Sequence, residues 1–129
     1  MEQVNQQILK LFSIQNILDQ LTILNPNKII DDVERIVSDL EIGLETRFKN
    51  DLKISLYIHL SVMIERLIMK EGIVSYSNSD EFSKCNKKFI AMIQKSFSVI
   101  LNKYKIELPM GEIEIIYQII ENKIGILKI

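Results

Sequence analysis

The chain holds one histidine, His59, set in the run Leu56-Tyr57-Ile58-His59-Leu60-Ser61-Val62-Met63-Ile64-Glu65-Arg66-Leu67. If this run is helical, the separation between His59 and Arg66 turns the helix by nearly two revolutions and puts both on one face, with Val62 between them and Ser55 one turn earlier. An imidazole with an ordinary pKa of about 6.5 is mostly neutral at cytosolic pH. One ring nitrogen then keeps a lone pair that can attack a phosphoryl group, and a guanidinium beside it can hold the product oxygens. Two readings of the spacing stay open. In one, His59 is a phosphoacceptor and Arg66 its phosphate-binding partner. In the other, His59 is an edge or core residue with its nitrogens hydrogen-bonded, the commoner fate of a lone histidine beside an apolar stripe.

Other chemistry finds little support. There is no Gly-rich phosphate loop and no nucleophile elbow, and the position three before His59 is Leu56, so the Glu-x-x-His pair of a di-iron bundle is missing. The single cysteine, Cys85, cannot form an intrachain disulfide and has no partners at zinc spacing. Its place on an apolar stripe predicts a buried small hydrophobe rather than a reactive thiol. No enzymatic activity, metal or cofactor is expected. Lys and Arg number 16 against 17 Asp and Glu, for a net charge of -1, a balance that argues against direct nucleic-acid binding. No apolar stretch approaches the ~20 residues of a membrane span, and Glu2, Gln3, Asn5, Gln6 and Gln7 make the N-terminus too polar for a signal peptide. The expected location is the cytoplasm.

The elements that must position His59 read as helices. Only two prolines and four glycines occur in 129 residues, and they separate apolar runs that repeat every three or four positions. Val4, Ile8, Leu11, Ile14, Leu18 and Leu21 form a first, loose stripe. Asn25 as cap and Pro26 at the first position open a second helix, over about 26 to 48, with Ile29, Val33, Ile36, Val37, Leu40, Leu44 and Phe48 at helical spacing. Asn50 or Asp51 caps a third, carrying His59 and running to about Lys70, with Gly72 as its stop. Ser75 to Ser79 reads as a loop. Asn78 and Glu81 resemble a capping box before a long stripe from Phe82 through Cys85, Phe89, Met92, Ile93, Phe97 and Ile100 to Tyr104. Pro109 starts the last helix, with Glu112 in its first turn, Ile113, Ile116, Tyr117 and Ile120 on one face, and Gly125 beyond its end. The expected fold is an all-α, single-domain bundle of about five helices. A domain of this length buries about two-thirds of its unfolded surface and needs no staple.

Charge is uneven. Asp31 to Glu45 holds six acids and one arginine, while Lys84 to Lys105 holds six lysines and no acid. Such faces pair within the bundle or across a dimer at little net energy; a lysine face can also dock an acidic partner.

The run Leu56-x-x-His59-Leu60-x-x-x-x-Glu65-Arg66-Leu67, preceded by Leu21-Thr22-x-Leu24-Asn25-Pro26 and followed by Leu108-Pro109-x-x-Glu112, resembles the phosphotransferase-system regulation domain (PRD). It is most similar to the C-terminal PRD of LevR-type sigma-54-dependent transcriptional activators. The resemblance spans residues 21 to 124, which suggests a helical segment or linker over 1–24 and a PRD-like domain over 25–129. It implies a helical regulatory module whose histidine, here His59, accepts phosphate from the phosphocarrier HPr or a sugar-specific EIIB, with Arg66 as partner, to report sugar availability to a transcription regulator. It also implies a homodimer. The family often carries a second histidine seven residues after the Glu of Leu-Pro-x-x-Glu; here that position is Ile119. The acid often found just before the first family histidine is replaced by Ile58. DNA-binding and ATP-hydrolysing domains of such regulators are not in this sequence, so an excised piece or a stand-alone relative is expected. The rival implication is a degenerate PRD, a helical dimerisation module in which His59 is inert.

Overall fold

The computed structural model describes residues 8–9, 25–70 and 79–124. Between residues 25 and 124 the described chain forms five helices, α1 (Pro26–Leu44), α2 (Asn50–Ile68), α3 (Ser79–Cys85), α4 (Lys87–Tyr104) and α5 (Met110–Ile124), and no strand. Of the first stripe only Ile8 is described; it is helical but exposed, and the buried residue is its neighbour Leu9. The rest of that stripe, Gly72, the Ser75 to Asn78 loop and Gly125 lie outside the described residues.

Helix α1 starts as its residues dictate. The Asn25 side chain accepts the Asn27 N–H at 2.9 Å, and Pro26 takes a first-turn position where a missing N–H costs nothing. It ends four residues before the expected Phe48, because Glu45 adopts the left-handed conformation (φ 54°) and the N–H groups of Glu45 and Thr46 fold back onto the Ile42 and Glu41 carbonyls. Phe48 is buried all the same. Its backbone N–H donates to Glu41 Oε2 at 2.6 Å, which draws the following loop over the helix end.

The long stripe expected to be one helix is two. Asn86 leaves helical geometry (φ −129°, ψ 39°), and both its backbone N–H and its side-chain Nδ2 donate to the Phe82 carbonyl at 3.0 Å. An amide side chain that bonds its own neighbourhood competes with helix continuation, so α3 stops at Cys85 and α4 restarts at Lys87. The break corrects the reading of Cys85, which is exposed rather than buried. Phe82 and Phe89, on either side of it, both meet the Tyr117 ring edge-on at centroid distances of 5.2 Å.

In the main packing contacts α1 lies against α2 and α4, α2 also against α5, and α3 joins α5 to α4. The circuit closes around one apolar core that includes Val33, Leu40, Leu56, Leu60, Met63, Ile64, Ile93, Phe97, Ile113, Ile116 and Ile120, all fully buried. Where α1 approaches α4, a Cβ at Gly43 would run into the Met92 thioether, a flexible side-chain end that would have to shift. The acidic face of α1 and the lysines of α4 meet through Lys103 Nζ and Asp32 Oδ2 at 3.2 Å, with Arg35 on the same aspartate at 3.5 Å; these exposed pairs contribute little net stability.

Candidate functional site

Helix α2 buries Leu52, Leu56, Leu60, Met63, Ile64 and Leu67 against the rest of the bundle. That leaves Ser55, His59, Val62 and Arg66 half-buried, a stripe at spacings of four, three and four that is one helix face. The face read from the sequence is therefore present, with His59 and Arg66 on it two turns apart.

Across from this stripe stands the first turn of α5. Pro109 supplies its carbonyl to the N–H groups of Glu112 and Ile113, which starts the helix and points the positive end of its dipole toward Glu112. The Glu112 side chain is fully buried. Arg66 reaches it from α2: one guanidinium nitrogen, Nη2, donates to Oε1 and Oε2 at 3.0 Å each. Arg66 itself is 32% exposed. The sequence leaves open that Arg66 is a structural residue buried against an acid such as Glu65 or Glu112; the structure pairs it with Glu112, 46 residues away.

Two polar atoms at this site are buried with no hydrogen-bond partner among the described residues: His59 Nε2 and Arg66 Nε. Orphan buried groups carry a desolvation cost of roughly 1–3 kcal/mol each and call for an explanation. His59 is held below its ordinary pKa, first by burial, then by the positive charge of Arg66, with the Glu112 carboxylate opposing in part. The ring is thus kept neutral near pH 7 and retains a lone pair. Chemically the site offers a neutral nitrogen nucleophile, a cation with an unused N–H, and a buried carboxylate already engaged on that cation.

Ile58 is half-buried beside His59, and Ile119 is half-buried against the core on α5; neither contributes a polar group. Among the described residues no group of three or more His, Cys, Asp and Glu is placed to hold a metal ion, and no described helix is long and apolar enough to cross a membrane.

This all-α bundle, with His59 and Arg66 two turns apart on α2, matches a known family. The PRD domain model matches residues 34–123, and the chain belongs to that family. Among full-length proteins it is similar to the transcriptional regulatory protein DagR of Salmonella typhimurium, with 20% identity over 120 residues; these cover 93% of this chain and 13% of DagR. No solved structure matches the chain significantly.

Proposed function

We propose that this chain is a non-enzymatic regulatory domain of a cytoplasmic transcriptional regulator, phosphorylated on His59 by phosphotransferase-system proteins, HPr or an EIIB component, to signal sugar availability. The observation that carries the reading is the pairing of unused groups: a neutral His59 whose Nε2 lacks a partner stands on the same face as Arg66, whose Nε lacks one too. In the transfer, a ring nitrogen lone pair forms the new P–N bond while the donor's P–N or P–S bond breaks with its electron pair. The ring N–H proton ends on the departing group. The new phosphate oxygens then accept from Arg66, as charge-assisted bonds that neutral groups cannot match. Membership of the PRD family and likeness to part of a transcriptional regulator support the regulatory role. The finer assignment, to the C-terminal PRD of a LevR-type sigma-54-dependent activator acting as a homodimer, follows the motif resemblance.

Intact-mass measurement before and after incubation with phosphoenolpyruvate, enzyme I, HPr and candidate EIIB proteins tests it. One phosphate is expected, lost in acid as phosphoramidates are and absent from His59→Ala. Acid-stable phosphate, or equal labelling of the variant, refutes it. Light scattering on the same samples should give about twice the 15.0 kDa chain mass; a monomer throughout the micromolar range removes the dimer.

A second reading has its own support. The complete burial of Glu112 on Arg66 suits a purely structural pair, in which case the domain is a helical dimerisation module with an inert His59 and gains no mass in the same assay.

A further inference from the structure

A carboxylate is a poor neighbour for a phosphoryl group, yet Glu112 occupies the guanidinium that a phosphate on His59 would need. We propose that Glu112 is the internal competitor of that phosphate: it holds Arg66 while His59 is bare and yields the guanidinium when the phosphoryl group arrives, so that it sets the phosphorylation equilibrium and transmits the modification to α5. The proposal rests on His59 being the phosphoacceptor, as proposed above.

Three features of the site lead to it. First, the existing pair uses one arginine nitrogen for both carboxylate oxygens rather than two parallel bonds from the planar fork, and Arg66 Nε is left over; the arrangement is short of the best geometry the two groups can make. Second, a phosphorylated side chain carries about -1.5 to -2 charge against -1 for a carboxylate, and its oxygens can engage the whole fork. Third, the two contenders sit on different elements. His59 and Arg66 belong to α2, whereas Glu112 belongs to the first turn of α5, so a change of partner by Arg66 is a change in the α2–α5 contact. A fully buried carboxylate that loses its guanidinium while a like charge appears nearby becomes costly to keep buried, and opening the first turn of α5 to water relieves that cost.

The experiment compares wild-type protein with Glu112→Gln, which keeps the side-chain shape and an oxygen for Arg66 while removing the charge. Each is phosphorylated in two ways: by the relay of phosphoenolpyruvate, enzyme I and HPr, and chemically by phosphoramidate, whose P–N bond breaks as ammonia leaves with the bonding pair and the ring N–H proton. At equal donor, the ratio of phosphorylated to bare protein should rise about tenfold in Glu112→Gln, equivalent to about 1.4 kcal/mol. Backbone hydrogen exchange over residues 110–116 should accelerate on phosphorylation of the wild type and stay unchanged in the variant. Equal phosphorylation of both proteins, with a lower melting temperature of Glu112→Gln as its sole effect, overturns the proposal. So does wild-type exchange over 110–116 that ignores phosphorylation, a readout that needs no variant to fold. Absence of phosphate on the wild type from either donor overturns the phosphoacceptor reading itself, an outcome distinct from the other two.

Discussion

Removing the Arg66 side chain separates its structural work from its chemical work. In Arg66→Ala the Glu112 carboxylate, fully buried, loses the nitrogen that donates to both of its oxygens at 3.0 Å. Breaking a buried ion pair from one side costs about 3–5 kcal/mol, because the remaining charge stays desolvated. Arg66 is 32% exposed, so water enters part of the vacated space and the loss falls toward the lower end, about 3 kcal/mol. In a chain of this size each kcal/mol moves the melting temperature by about 3–4 °C, for a total fall of about 10 °C. Adding Glu112→Gln to Arg66→Ala removes the stranded charge and should restore most of that fall, leaving a deficit of about 1 kcal/mol from the lost hydrogen bonds. Thermal melts of the wild type, both single variants and the double variant close the cycle. An Arg66→Ala protein that melts within about 2 °C of the wild type, or a double variant no more stable than Arg66→Ala, would refute the argument that the guanidinium stabilises the buried Glu112 side chain.

Two further outcomes follow from the packing around the site. Because the folded-state pKa of His59 lies below its ordinary 6.5, the unfolded chain binds the proton more readily; the stability from keeping the ring neutral is complete above 6.5 and is lost as pH falls toward the folded value. Urea unfolding midpoints between pH 7 and pH 5 should therefore drop more steeply for the wild type than for His59→Gln, and parallel curves would show that the ring is not desolvated. Tyr117→Leu removes both edge-on ring contacts, to Phe82 and Phe89, each worth about 0.5–1.5 kcal/mol; a summed loss of about 2 kcal/mol in denaturant titrations is expected, and a change below about 0.5 would show that these rings do not tie α3 and α4 to α5.

Much of the bundle was legible because apolar faces and proline-marked helix starts are local properties, although α2 starts at Asn50 after Lys49, without the side-chain cap expected from Asn50 or Asp51. Asn25 and Pro26 announce α1, Pro109 announces α5 within one residue of its start, and the stripe from Leu52 to Leu67 faces the core as its spacing requires. The misses come from residues whose conformation a tertiary or side-chain bond decides. Phe48 keeps helical spacing yet lies in a loop held by the Glu41 carboxylate. Cys85 keeps the stripe's spacing yet ends a helix, because the Asn86 amide bonds the Phe82 carbonyl and redirects the chain. At the site, the shared face of His59 and Arg66 follows from periodicity alone, while the choice of Glu112 over the adjacent Glu65 depends on which helix packs on α2.

That choice gives the site its character. A buried ion pair is weak grounds for stability, since apolar residues of similar volume often serve as well or better. Its distinctive property is conditional: the α2–α5 contact is satisfied while the guanidinium faces the carboxylate and becomes costly when a second anion appears. On α5 the position two turns after Glu112 is Ile119, packed against the core, so no second imidazole on that face shares the response. A negative charge placed on His59 would share a helix face with Arg66, and Arg66 meets α5 at Glu112, while Lys123 and Asp51 form a further pair between the same two helices. On the proposed reading, phosphorylation of His59 would act through the Arg66–Glu112 contact between α2 and α5, an element with two arrangements of the kind regulatory switches use.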